Sequence, residues 1–256
     1  MALFKAASTG KIDEIVKLLD AKADLEARDD RFWTPLMCAI MPQNEGTVHA
    51  LIDANANVNV KDRMNITPLM RAVTQGLTEI VQALLNANAS LETLDNRNMS
   101  PLMLACEFNR SDVARVLVDA RAALESRDKR HWTPLICASK YGHTEIVNLL
   151  IEASADVSVL DQTNTPVLMC LITQNRLDLV NTMITARAPL EARDNDGNTP
   201  LICAAKYGRL EIADALIKAQ ASLEASDRQE MTAMMHAARR GHSAIVRLLE
   251  QGLNRT

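Results

Sequence analysis

The sequence is poor in aromatic residues, since Phe, Trp and Tyr make up only 3% of its 256 residues. Apolar residues nevertheless make up 48% of the chain, and most of them are Ala, Leu, Ile, Val and Met. β-Sheets draw on aromatic and β-branched side chains, so this composition favours close-packed helices. Glycine is also scarce, and none of the eight glycines lies in a dinucleotide- or phosphate-binding loop.

Long apolar runs and a strong charge of one sign are absent as well. No uninterrupted apolar segment approaches the length of a membrane span, and the first residues lack the apolar stretch of a secretory signal. The 28 Lys and Arg nearly balance the 32 Asp and Glu, which excludes a disordered tail and disfavours nucleic acid as a partner. We therefore expect a cytoplasmic protein, with the nucleus as the alternative, that does not bind membranes.

The chain is rich in repetition. One aspartate recurs every 33 residues without exception, and alanine and leucine columns recur with it. The aspartates are Asp29, Asp62, Asp95, Asp128, Asp161, Asp194 and Asp227. Because no segment is left over, we predict a single domain over 1–256. Its units run approximately over 1–33, 34–66, 67–99, 100–132, 133–165, 166–198, 199–231 and 232–256.

Each unit has the pattern of two short helices followed by a turn. A hydroxyl residue before proline, as in Thr133-Pro134, is typical of a helix start. The column that contains Gly142 favours a left-handed turn at the end of this first helix, and Asn109 and Asn175 tolerate that conformation. A second helix with one apolar face follows. The predicted class is all-α, with short β-hairpin turns.

Two units are irregular. Pro42 falls in the last turn of a first helix and predicts that this helix ends early. In the sixth unit the spacing from Asp161 to Thr165 is one residue short, and Leu171 replaces a small alanine. We expect a locally altered stacking angle there, with neutral drift in a tolerant array as the alternative.

These columns resemble ankyrin repeats, whose 33-residue unit carries the signature T-P-L-H-x-A. The best match is Asp194-Asn195-Asp196-Gly197-Asn198-Thr199-Pro200-Leu201, followed by Ala204-Ala205 and Gly208. The resemblance covers essentially the whole chain. It implies an ankyrin solenoid of about 7–8 helix–loop–helix–hairpin units with a concave inner face.

The sequence departs from the ankyrin pattern in two columns. The His after T-P-L is replaced by apolar residues such as Met37 and Ile136, so apolar packing must replace its hydrogen bonds. The Gly that usually precedes the repeated alanine is also missing, as at Lys22 and Arg187. Because a positive φ is costly for such residues, the loop after the second helix is expected to differ from that of the family.

Nothing in the sequence singles out a catalytic centre. We interpret the repeated aspartates as hydrogen-bonding braces of the turns. Cysteines recur in one column, at Cys38, Cys137, Cys170 and Cys203. Equivalent residues of packed units are too far apart for a disulfide or a metal site, so these are interpreted as small core residues. We predict no enzyme activity, no metal and no cofactor.

In proteins that this chain resembles, partners usually contact the turn tips and the residues before the helix-ending Gly. Six of the seven aromatic residues fall in these columns, including Phe32 at a tip, together with ten basic and four acidic residues. The candidate partner-binding residues are Arg31, Trp33, Arg63, Ile66, Arg97, Met99, Phe108, Arg130, Trp132, Lys140, Tyr141, Lys206, Tyr207, Arg239 and Arg240. They imply a protein partner with an acidic surface.

The predicted function is a non-catalytic intracellular protein-interaction module, an adaptor, scaffold or inhibitor that is monomeric and binds through its concave face. Two alternatives stay open: a structural or self-associating array, and a substrate-recruiting subunit of an enzyme complex. The aromatic columns are also compatible with packing between neighbouring turns and no binding role.

Overall fold

The structure is a computed structural model that describes residues 2–41 and 43–254. In these residues sixteen α-helices follow one another, and β-structure is limited to the isolated bridges Leu160–Pro166 and Ser226–Thr232. The all-α prediction is confirmed. Most turns contain no β-bridge in the described ranges, so the expected hairpins are chiefly hydrogen-bonded turns. The described residues form two compact groups, 2–129 without residue 42 and 130–254. The single domain over 1–256 stays a prediction.

The N-terminal group contains four helix pairs. Its helices are α1 (Ala2–Thr9), α2 (Ile12–Asp20), α3 (Pro35–Ile40), α4 (Glu45–Asp53), α5 (Pro68–Gln75), α6 (Thr78–Asn86), α7 (Pro101–Glu107) and α8 (Ser111–Asp119). The odd-numbered first helices pack against one another in order, and so do the even-numbered second helices. The group therefore has two helical layers with the core between them. Met70 and Met103, which replace the histidine of T-P-L-H, are fully buried in it.

The C-terminal group repeats this arrangement. Its helices are α9 (Pro134–Tyr141), α10 (Thr144–Glu152), α11 (Val167–Thr173), α12 (Leu177–Thr185), α13 (Pro200–Lys206), α14 (Leu210–Lys218), α15 (Ala233–Arg239) and α16 (Ser243–Leu253). First helices again pack on first helices and second helices on second helices. Cys137, Cys170 and Cys203 are buried in the first-helix layer, which confirms their interpretation as core residues.

The first helices start as the sequence predicts. The Oγ1 of Thr67 accepts a hydrogen bond from the amide of Met70 at 3.2 Å, and Pro68 occupies the first helical turn. The sixth unit differs because Pro166 stands at the N-cap and has no side-chain cap bond. Its bridge to Leu160 holds the chain before α11 instead. The altered stacking angle at Leu171 stays a prediction.

The first helices also end as predicted. Gly142 has φ +74°, and Asn109 and Asn175 adopt the same left-handed region at +53° and +60°. The third helix α3 stops at Ile40, after only six residues. Pro42, on which that early end was predicted, lies outside the described residues.

The loop after each second helix corrects one expectation. Lys22, Ser154 and Arg187 keep a positive φ of +54°, +69° and +61°, although none of them is glycine. The amide of Arg187 donates to the carbonyl of Ile184 at 3.0 Å, and the next amide donates to the carbonyl of Met183 at 2.9 Å. These bonds satisfy carbonyls at the helix end and offset the cost of the left-handed residue. The predicted change of loop conformation is therefore wrong.

The repeated aspartates brace the turns, as predicted. The Oδ1 of Asp95 accepts hydrogen bonds from the amides of Arg97 at 2.7 Å and Met99 at 2.8 Å. The same pair of bonds occurs at Asp29, Asp62, Asp161, Asp194 and Asp227. In each of these six turns, one carboxylate oxygen therefore closes the turn.

Because of this brace, we expect the stability of the fold to decrease in acid. Burial raises the pKa of Asp161, but hydrogen bonds from Thr163 and Thr165 and the ammonium of Lys140 together lower it below its ordinary value. The folded pKa is thus below the unfolded one, so the stabilisation is complete above pH of about 4 and is lost as the pH falls through the folded pKa. We expect the Tm to fall between about pH 4 and pH 2, and to fall less steeply in Asp161→Asn. Thermal melts followed by circular dichroism would measure this; an identical pH dependence in the variant would contradict it.

Candidate functional site

The candidate residues of the N-terminal group meet around the indole of Trp33. The guanidinium carbon of Arg31 lies 3.7 Å from the ring centroid, and that of Arg71 lies 3.6 Å from it. Two guanidinium groups at these distances must cover opposite faces of the ring. Trp33 is therefore a support that holds two arginines, and only its edge is open to a partner.

Arg71 was not among the predicted site residues. Its Nη2 pairs with the Oδ2 of Asp62 at 2.5 Å, and the two side chains are only 12% and 5% exposed. Burial lowers the pKa of Arg71, and the nearby Asp62 carboxylate partly restores it. The one available signal in the sequence was that this arginine occupies the column that holds Cys38 and three further cysteines.

Arg97 and its neighbours form a more neutral surface than expected. The guanidinium of Arg97 pairs with Asp95 at 3.2 Å and with Glu107 at 3.0 Å. Burial lowers the pKa of Arg97, but the carboxylates of Glu107 and Asp95 raise it more, so its pKa lies above the ordinary value and the side chain is charged. Phe108 beside Glu107 is half exposed.

Two apolar candidates of the same group differ in accessibility. Ile66 is partly exposed, whereas Met99 is 0% exposed. The side chain of Met99 packs in the core next to the helix start at Ser100, so the structure removes it from the candidate surface. Arg63, a basic candidate of the same group, is exposed at the tip of its turn.

In the C-terminal group three candidates come together around a fourth, Trp132. The guanidinium of Arg130 lies 3.7 Å from the indole centroid and the Nζ of Lys140 lies 5.7 Å from it. Tyr141 meets the indole edge-on, with 6.3 Å between ring centroids, and stacks on His143 at 5.9 Å. We call these five residues the Trp132 cluster.

Lys140 also links the Trp132 cluster to the next turn. Its Nζ lies 3.1 Å from the Oδ2 of Asp161. Burial lowers the pKa of Lys140, but Cys170 and Asp161 raise it more, so the side chain is a cation at neutral pH. The cluster thus presents a tyrosine and two cationic side chains on one surface, and Asp161 offsets part of the charge of Lys140.

A small cavity of about 290 Å³ lies beside this surface and was not predicted. Lys140, Gln174, Lys206 and Tyr207 line it. The Nζ of Lys206 donates to the Oδ1 of Asn198 at 3.3 Å, and Tyr207 is 50% exposed. Burial raises the pKa of Cys203, which also lines the cavity, to about 12. This thiol is therefore protonated at neutral pH and is a poor nucleophile.

The last two candidates are separate in sequence from these clusters. Arg239 and Arg240 are exposed at the end of α15.

Across 2–41 and 43–254 no three His, Cys, Asp or Glu side chains are grouped so that they could hold a metal ion. In the same ranges, no helix has the length and apolar character needed to cross a membrane.

Comparison with protein families assigns this architecture. A family model described as ankyrin repeats (3 copies) matches residues 3–95, 69–161 and 167–255. The chain belongs to the ankyrin-repeat family. A search of curated proteins gives no match.

Ankyrin repeats are generally protein–protein interaction modules and are typically non-catalytic. In this ankyrin-repeat protein the exposed aromatic rings lie at the ends of first helices and at turn tips. Phe108, Tyr141 and Tyr207 occupy equivalent columns of three repeats, directly before the residue that ends the helix in left-handed conformation.

Proposed function

We propose that this ankyrin-repeat protein is a non-catalytic interaction module that binds a protein partner with an acidic surface. The binding face comprises the turn tips and the C-terminal ends of the first helices, which correspond to the concave face of the family. We further propose that the protein acts as a monomeric adaptor, scaffold or inhibitor in the cytoplasm or nucleus.

The Trp132 cluster is the observation that carries this proposal. An indole, a half-exposed phenol and two cations share one small surface, and such groups are enriched where interfaces have their strongest contacts. If the rings served packing alone, burial would be the favourable place for them. Arg130, and more weakly Lys140 because Asp161 offsets part of its charge, would attract carboxylates of a partner and would make association dependent on salt.

The test removes exposed rings of the C-terminal group and leaves its core intact. We expect the double substitution of Tyr141→Ala and Tyr207→Ala to weaken capture of a partner from native lysate by about tenfold or more. The matched control is Met235→Ala, which removes a comparably exposed apolar side chain from another column. Quantitative mass spectrometry of captured proteins would measure the effect.

Two outcomes would contradict the proposed binding face. Equal capture by the double variant and wild type would place the contact elsewhere. Weak capture with a strongly lowered Tm would favour the packing interpretation. Light scattering completes the test, because a concentration-dependent oligomer that the double variant abolishes would indicate self-association in place of an adaptor role.

A further inference from the structure

Phe32 occupies a backbone conformation that its side chain does not favour. Its φ is +65°, in the left-handed region, which is uncommon for a bulky residue outside turns built for Asn or Gly. The equivalent residues with positive φ are Asn65, Asn98, His131, Asn164, Gly197 and Glu230. Phenylalanine cannot hydrogen-bond to the local backbone as Asn does, so the side chain adds no hydrogen bond that would stabilise the left-handed conformation.

Burial does not offset this strain, because Phe32 is 45% exposed. A strained residue with an exposed ring is a pattern associated with function, since neither the backbone nor the core accounts for it. Substitution by asparagine would relieve the strain.

The surroundings of Phe32 are basic. The guanidinium carbons of Arg63 and Arg28 lie 5.1 Å and 5.6 Å from the ring centroid, within the range of cation–π attraction. The Nη1 of Arg28 donates a hydrogen bond to the carbonyl of Lys61 at 3.1 Å. This bond links two successive turns and holds the guanidinium of Arg28 in place. Lys61 itself is exposed. We call Arg28, Phe32, Lys61 and Arg63 the Phe32 tip.

In the described part of the chain, the positive charges of the Phe32 tip have no carboxylate partners. Within 2–41 and 43–254, Arg28, Lys61 and Arg63 form no ion pair with a carboxylate. Nearby Asp29 is paired with Arg31 at 3.2 Å, and Asp62 with Arg71, so these acids are already engaged. The exposed Asp30 offsets one charge and leaves an excess of cations.

The charge and shape of the Phe32 tip indicate its ligand. Arginine binds carboxylates through paired hydrogen bonds, and the phenyl ring offers an apolar surface between the cations. We propose that the Phe32 tip binds an extended segment of a protein partner in which acidic and apolar side chains alternate. This inference rests on the proposed function and adds a site and a partner chemistry to it.

The test uses a labelled peptide in which glutamate alternates with leucine, with its glutamine–leucine counterpart as the charge control. Fluorescence anisotropy should show binding of the first peptide only, with affinity that falls as salt rises. Phe32→Asn should weaken binding by about fivefold or more while raising the Tm by about 2–4 °C. The simultaneous change of Arg28→Gln and Arg63→Gln should weaken it by about tenfold and flatten the salt dependence.

Glu230→Asn is the matched control, because Glu230 has the equivalent backbone conformation, with φ +59°. It should raise the Tm in the same way and leave peptide binding unchanged. A lowered Tm in Phe32→Asn would show that the ring is structural and would overturn the proposal. Unchanged affinity in the Phe32 and double arginine variants, or equal competition by single-stranded DNA, would overturn it too.

Failure of this inference is distinguishable from failure of the proposed function. If wild type does not bind the acidic peptide, the Phe32 tip is not the predicted site, whatever the result at Tyr141 and Tyr207. Capture that depends on those tyrosines would still support the interaction module. Conversely, if Phe32→Asn abolishes peptide binding, the assignment of the Phe32 tip stands even if capture of a partner does not depend on the tyrosines.

Discussion

Replacement of Asp62 by alanine is expected to lower the free energy of unfolding by about 3–5 kcal/mol. The change removes the carboxylate that pairs with the guanidinium of Arg71 and leaves that cation buried without its partner. It also removes the acceptor for the amides of Met64 and Ile66, at 2.8 Å and 2.9 Å. Denaturant unfolding of wild type and variant would measure the loss.

Two controls separate the charge from the turn brace. Asp194→Ala removes the same pair of amide bonds, together with two bonds from the Asn198 side-chain amide, in a turn whose aspartate pairs with no cation in the described ranges. Because no charged partner is left unpaired, its loss should be smaller. Arg71→Cys introduces the residue that four other repeats carry in this column. Added to Asp62→Ala, it should recover part of the stability, because no unpaired cation remains. A double variant less stable than Asp62→Ala would contradict this account.

The periodic features were predictable because their causes are local. Thr67, Pro68 and Gly76 fix the start and end of one helix by capping and by backbone conformation, and both operate within a single turn of chain. The aspartate braces are equally local, since the donor amides lie two and four residues after the carboxylate. The order of helices and turns therefore followed directly from the spacing.

The surface was less predictable because exposure depends on neighbouring repeats. Met99 and Trp132 occupy the same column, yet the first is buried and the second is partly exposed within a cluster. Arg71 pairs with Asp62, nine residues before it, and at the same time lies over the ring of Trp33 from the preceding repeat. Such contacts require the packed structure, and spacing alone carries no signal for them.

The conformation of the left-handed loops was also not predictable from the sequence. Residue preference argued against a positive φ at Lys22 and Arg187, but the helix-end hydrogen bonds impose it. The conformational preference of one residue is worth about 1–2 kcal/mol, and two backbone bonds at a helix end can offset that amount. Where a preference and a repeated hydrogen-bond pattern disagree, the repeated pattern prevails in these loops.

Trp132→Ala is expected to weaken partner binding by about 2 kcal/mol or more, which is about 30-fold in affinity. The indole supports the guanidinium of Arg130 and meets Tyr141 at its edge, so its removal releases both neighbours as well as its own contact surface. Because Trp132 is only partly buried, the Tm should fall little. Calorimetric titration with the captured partner and thermal melts of the same samples would give the two values.

Trp33→Ala is the informative comparison, since the two indoles occupy the same column but support different neighbours. Trp33 supports the largely buried Arg71 of the ion pair with Asp62, and loss of Trp33 should lower stability more than the loss of Trp132 does. Trp132 supports only groups near the surface, so its effect should appear mainly in affinity. A large fall in stability at Trp132 with unchanged affinity would show that this ring packs the turns, and the binding surface would then have to be sought at the exposed tyrosines and the Phe32 tip.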